Sequence, residues 1–63
     1  MQTILDIAKR WTGTECILDG RKAVIVNPNI GFAIVASYDG KRRAEYSWQT
    51  VDNVMQSTEQ FRM

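Results

Sequence analysis

Five basic residues stand closest to a chemistry: Arg21-Lys22 and Lys41-Arg42-Arg43, each cluster directly following an Asp-Gly pair, Asp19-Gly20 and Asp39-Gly40. Cations gathered at one place can track a phosphate backbone, with Tyr38 or Tyr46 beside them to stack a base. The plainer account is that lysine and arginine at a strand edge discourage pairing with foreign strands. Asp19 and Asp39 at the same turns also offset part of the charge. The plainer account is preferred, and nucleic-acid binding through Arg21, Lys22, Lys41, Arg42 and Arg43 is kept as the alternative.

Other chemistries are thinly provided for. The chain has no histidine, so the commonest general acid–base and the usual activator of a nucleophile are missing. The carboxylates Asp6, Glu15, Asp19, Asp39, Glu45, Asp52 and Glu59 are scattered, and no spacing pairs two of them. Cys16 is the single cysteine. It forms no intrachain disulfide and no zinc site by itself, and its place in a strand suits a small buried hydrophobe. Gly13, Gly20, Gly31 and Gly40 are isolated and fit no phosphate-binding loop. No enzymatic activity, cofactor, metal site or small-molecule substrate is expected.

The elements that position these residues are legible from the repeat of the turns. Asp-Gly between strand-like runs favours a type I′ hairpin, because both central residues take positive φ. The two pairs are twenty residues apart, one strand out and one strand back, so both turns belong at one end of an antiparallel meander. Strands are expected at residues 14–18, 22–26, 32–38 and 41–46, with the cluster Asn27-Pro28-Asn29-Ile30-Gly31 turning between the second and third. Before them, Ile4, Ile7, Ala8 and Trp11 make one stripe of a helix over residues 3–12, which Gly13 stops. After them, Ser47 caps a helix over about residues 48–58 whose apolar face is Trp48, Val51, Val54 and Met55. The predicted fold is α+β, in the order α-β-β-β-β-α. It is a four-stranded antiparallel meander with N- and C-terminal helices packed on the sheet, in a single domain whose residues 59–63 fray.

Strand alternation assigns the faces. A four-residue loop opposing Asn27 to Phe32 puts Cys16, Leu18, Ala23, Ile25, Phe32, Ile34, Ala36 and Tyr38 on one face, the expected core. Ile17, Val24, Val26, Ala33, Val35, Ala44 and Tyr46 fall on the other. There Val24, Val26, Ala33 and Val35 form an apolar patch where a one-sided sheet should alternate to polar residues. Such a patch marks a contact surface, unless the two helices cover opposite faces.

The order of helix, antiparallel strands and helix resembles double-stranded RNA-binding domains in topology. In that family a basic cluster opens the second helix. The matching segment here, Ser47-Trp48-Gln49-Thr50-Val51-Asp52, has no lysine or arginine, and no family is assigned. A chain of 63 residues buries only roughly 60% of its unfolded surface, so a partner is a natural source of added stability. With a net charge of +1 it exerts no long-range pull on nucleic acid or membranes. One cysteine, no membrane-length apolar run and no secretory leader fit a soluble, cytoplasmic protein. The expected function is a small non-enzymatic protein-binding module of inhibitor, adaptor or regulator type, including accessory proteins of phages and plasmids. It is expected to self-associate as a homodimer, or to take a protein partner, through a sheet face or the exposed edge of the fourth strand.

Overall fold

The computed structural model describes residues 3–62. Helix α1 spans Ile4–Trp11. Thr3 caps it: the Thr3 hydroxyl accepts the Asp6 N–H and the Asp6 carboxylate accepts the Thr3 N–H, each at 3.2 Å. Lys9 and Arg10 occupy the last turn, where the helix dipole favours cations. Ile7 and Ala8 are buried, whereas Ile4 and Leu5 are each 61% exposed, so the inward stripe is shorter than its sequence spacing suggests. Helix α2, Trp48–Ser57, is capped by Ser47, whose hydroxyl accepts the Thr50 N–H, and it buries Trp48, Val51 and Met55 as expected. Asp52 is buried on the same helix and accepts the Trp11 indole N–H at 2.9 Å, which ties the two helices together.

Between the helices lie β1 (Glu15–Leu18), β2 (Arg21–Val26), β3 (Ala33–Ser37) and β4 (Arg43–Tyr46), paired antiparallel in sequence. The first reversal has the expected form. Leu18 opposes Arg21, and Asp19 and Gly20 take φ of 50° and 79°. The second is wider. Of its Asp-Gly pair only Gly40 takes positive φ, at 76°, and the Ser37 N–H closes a four-residue loop on the Arg42 carbonyl at 2.9 Å. The β3–β4 register is nevertheless the one anticipated.

The expected four-strand meander needs a correction. A fifth strand, β5 (Gln60–Phe61), follows α2 and pairs parallel with β1, giving a mixed sheet of order β4-β3-β2-β1-β5. The Ile17 N–H donates to Glu59 and the Asp19 N–H to Phe61, at 3.0 and 2.9 Å. Residues 59–62, expected to fray, are held by these bonds and by Phe61, which is buried; Met63 lies outside the described residues. Glu59 makes the turn out of α2 in the left-handed region, φ 55°. The sheet curls so far that its two outermost strands meet through side chains. The Tyr46 and Phe61 rings are 4.8 Å apart, and the Tyr46 hydroxyl donates to the Arg62 carbonyl at 3.1 Å.

The predicted faces also need a correction, at one register. Val26 opposes Ile34 and Ala23 opposes Ser37, one residue away from the pairing expected across the Asn27–Gly31 turn. That turn uses two left-handed residues, Asn29 at φ 63° and Gly31 at φ 90°, and the Asn27 side chain accepts the Asn29 N–H. A single-residue slip moves every side chain of a strand to the other face. Because β4 keeps its register on β3, both strands turn over together. One core results, built from Ile7, Ala8, Trp48, Val51 and Met55 of the helices against Cys16, Leu18, Ala23, Ile25, Ala33, Val35 and Phe61. Both helices therefore cover the same face. Ala23 on the inner side of β2 and Ala33 and Val35 on that of β3 are small, which leaves room for the bulky helix residues above them.

Candidate functional site

The reversals that carry the basic clusters lie at one end of the sheet and are joined to each other. The Arg21 guanidinium meets the Asp39 carboxylate at 2.8 Å, and Arg42 reaches Asp19 at 3.8 Å, so each turn's aspartate pairs with the other turn's arginine. Asp39 is the hub of the second loop. It also accepts the Ser37 hydroxyl at 2.6 Å and the Lys41 N–H at 2.9 Å. The Ser37 hydroxyl, the Lys41 N–H and the Arg21 guanidinium favour the ionised carboxylate and hold its pKa down to about 2.

That depression sets a pH dependence. A carboxyl whose pKa is lower in the folded state than in the unfolded state stabilises the fold above the unfolded value, 3.8, and loses that contribution as pH falls through about 2. Asp39→Asn is expected to lower the melting temperature at neutral pH and to reduce its decline in acid below about pH 4. Equal acid slopes for the variant and the parent, in melts followed by circular dichroism, would remove Asp39 from the clamp.

The five cations proposed for nucleic acid do share this end, but they are not equivalent. Arg21 and Arg42 are engaged with carboxylates, while Lys22, Lys41 and Arg43 belong to neither ion pair. Tyr38 is 61% exposed beside them. Tyr46 turns inward onto Phe61 instead.

The four residues of the proposed contact face separate. Ala33 and Val35 have no exposure and lie under the helices, through the register slip described above. Val24 and Val26 remain outside, and β3 contributes Ile34 and Ala36 next to them. This outer face offers little open apolar surface: Val26 is 40% exposed, but Ile34 only 4%. Cys16 is buried, and burial first, then the charges of Glu15 and Glu59, push its thiol pKa up to about 11. It is a neutral thiol at physiological pH. Among the described residues no group of three or more histidine, cysteine, aspartate or glutamate side chains could hold a metal ion, and no helix is long and apolar enough to cross a membrane.

What remains open is an edge. Strand β4 is the last in the sheet, and a groove of about 680 Å³ runs beside it, lined by Arg43, Ala44, Glu45, Tyr46 and Arg62. Because the Arg42 carbonyl accepts from β3, the alternation of an antiparallel ladder turns the polar backbone of Ala44 and Tyr46 to β3 as well. The N–H and C=O groups of Arg43 and Glu45 point away, along the groove. Their side chains stand on the outer face, opposite Ala36 and Ile34. The sequence marks this strand only as charged; that Arg62 joins its groove depends on the position of β5. No family model, curated protein or solved structure matches this chain.

Proposed function

We propose that this chain is a small non-enzymatic protein-binding module, of inhibitor, adaptor or regulator type, that accepts an additional β-strand on the free edge of β4. The observation that carries this reading is the open groove along Arg43–Tyr46 with two residues' worth of backbone donors and acceptors directed into it. Proteins usually silence such an edge with like-charged or inward-pointing charged side chains, a proline, a bulge or a covering element, and the two exposed charges of β4, Arg43 and Glu45, are of opposite sign and stand on the outer face. Strand β4 contains no proline and pairs with β3 in unbroken register at all four positions. Backbone hydrogen bonds then supply the affinity, and the side chains along the strand supply the choice of partner.

Nucleic-acid binding at the basic turns is the weaker alternative. Two of its five arginine and lysine side chains already face carboxylates, which compete with phosphate for them. Sedimentation of the purified protein, with and without a nucleic-acid fragment at two salt concentrations, separates the readings. Strand addition is expected to give association that survives added salt and no co-sedimentation with the nucleic acid. Phosphate binding should instead weaken with a log–log slope of roughly −0.9 per neutralised phosphate on DNA. A protein that stays monomeric and binds the fragment only at low salt would overturn the strand-addition reading.

A further inference from the structure

We infer that the strand taken up on this edge is β4 of a second copy, paired antiparallel about Ala44 so that Arg43 of each copy lies opposite Glu45 of the other. The inference rests on the strand-addition reading above and names its partner and register. Three features of Arg43-Ala44-Glu45 single out this arrangement. Their outward backbone groups belong to Arg43 and Glu45, and pairing about Ala44 sets those two residues directly opposite each other, as a hydrogen-bonded pair on each side of the dyad. Ala44 then opposes its own copy at the non-bonded position, where Cα atoms approach to about 4.5 Å and the two alanine side chains fit without crowding. Finally, Arg43 and Glu45 stand on the same outer face, exposed, so each faces an opposite charge across the new junction.

Neighbouring registers fail on one of these counts. A shift of one residue sets the outward groups of one copy against groups that the other directs to its own β3. A shift of two sets Arg43 against Arg43, or Glu45 against Glu45, and like charges directly opposite are destabilising. The charge pattern therefore favours one register and disfavours its nearest competitors. The result is an isologous pair with a continuous ten-stranded sheet, five strands from each copy.

Charge reversal tests it. Arg43→Glu makes both facing positions acidic and Glu45→Arg makes both basic, so each variant alone should bind itself on the order of 10- to 100-fold more weakly than the parent. Mixed one to one, the two variants should recover association, because every acidic position then faces a basic one. Sedimentation equilibrium reads the masses, and circular dichroism checks that each exposed substitution leaves the fold intact. Glu45→Pro is the companion variant: it removes an outward N–H that β3 does not use, a change edge strands tolerate, and should block strand addition altogether. If both charge variants associate like the parent while Glu45→Pro does not, the edge is used in another register and only this inference falls. A parent that is monomeric at millimolar concentration also overturns the self-pairing. If Glu45→Pro associates like the parent, the strand-addition reading fails with it.

Discussion

Val35→Glu is expected to abolish folding. Val35 has no exposed surface and packs beneath both helices in the single core. A carboxylate there must either stay ionised in an apolar surrounding or be held neutral far above its ordinary pKa, and it must also fit a site shaped for valine. Together these cost on the order of 5 kcal/mol or more. A chain of 63 residues has a total stability of about 3 to 9 kcal/mol at the usual range per residue. Val26→Glu makes the informative contrast, since Val26 is on the outer face and 40% exposed. It should alter stability by less than about 1 kcal/mol. Urea unfolding followed by tryptophan fluorescence reads both. A folded Val35→Glu protein would mean that β3 presents its other face to the helices.

Phe61→Ala should be nearly as damaging, although it lies two residues from the last residue in the sequence. Phe61 is 2% exposed, its ring meets that of Tyr46 at 4.8 Å in a tilted arrangement, and it anchors the only parallel strand pair of the described sheet. Truncating a buried phenylalanine costs about 3 to 5 kcal/mol, enough to leave the protein marginal. Tyr46→Phe keeps the ring contact and loses only the hydrogen bond to the Arg62 carbonyl, for about 0.5 to 1.5 kcal/mol. The order Phe61→Ala far above Tyr46→Phe, measured as shifts in the urea midpoint, is the expected result. A Phe61→Ala midpoint indistinguishable from the parent would show that the C-terminal segment adds nothing to the fold.

Both substitutions touch places where local reasoning stops short. Asp19-Gly20 and Asp39-Gly40 carry the information for their reversals within a few residues, and the β1–β2 and β3–β4 registers follow directly. Their placement at one end follows too, and the crossed ion pairs Arg21–Asp39 and Arg42–Asp19 join them there. The Asn27–Gly31 turn carries no such constraint. Its two left-handed residues and the Asn27 side-chain hydrogen bond are seen only in the folded turn, and the residue types of this cluster do not dictate one loop length as an Asp-Gly pair does. The β2–β3 register adopted moved Ala33 and Val35 from a surface patch into the core, and brought Ile34 and Ala36 to the outer face in their place. The free edge of β4 was visible as a charged fourth strand; the groove beside it was not, because Arg62 reaches it only through the C-terminal strand.

The amino-acid sequence by itself determined the helices, the Ser47 cap of the second, the strands of the meander and the turns that place the basic clusters together, because each depends on neighbours within a few positions. The tertiary structure decided which face of β3 and β4 is buried, that both helices share one side, and that Gln60-Phe61 closes back onto β1. Those outcomes depend on filling one small core from residues far apart in the chain, and no local pattern encodes that competition.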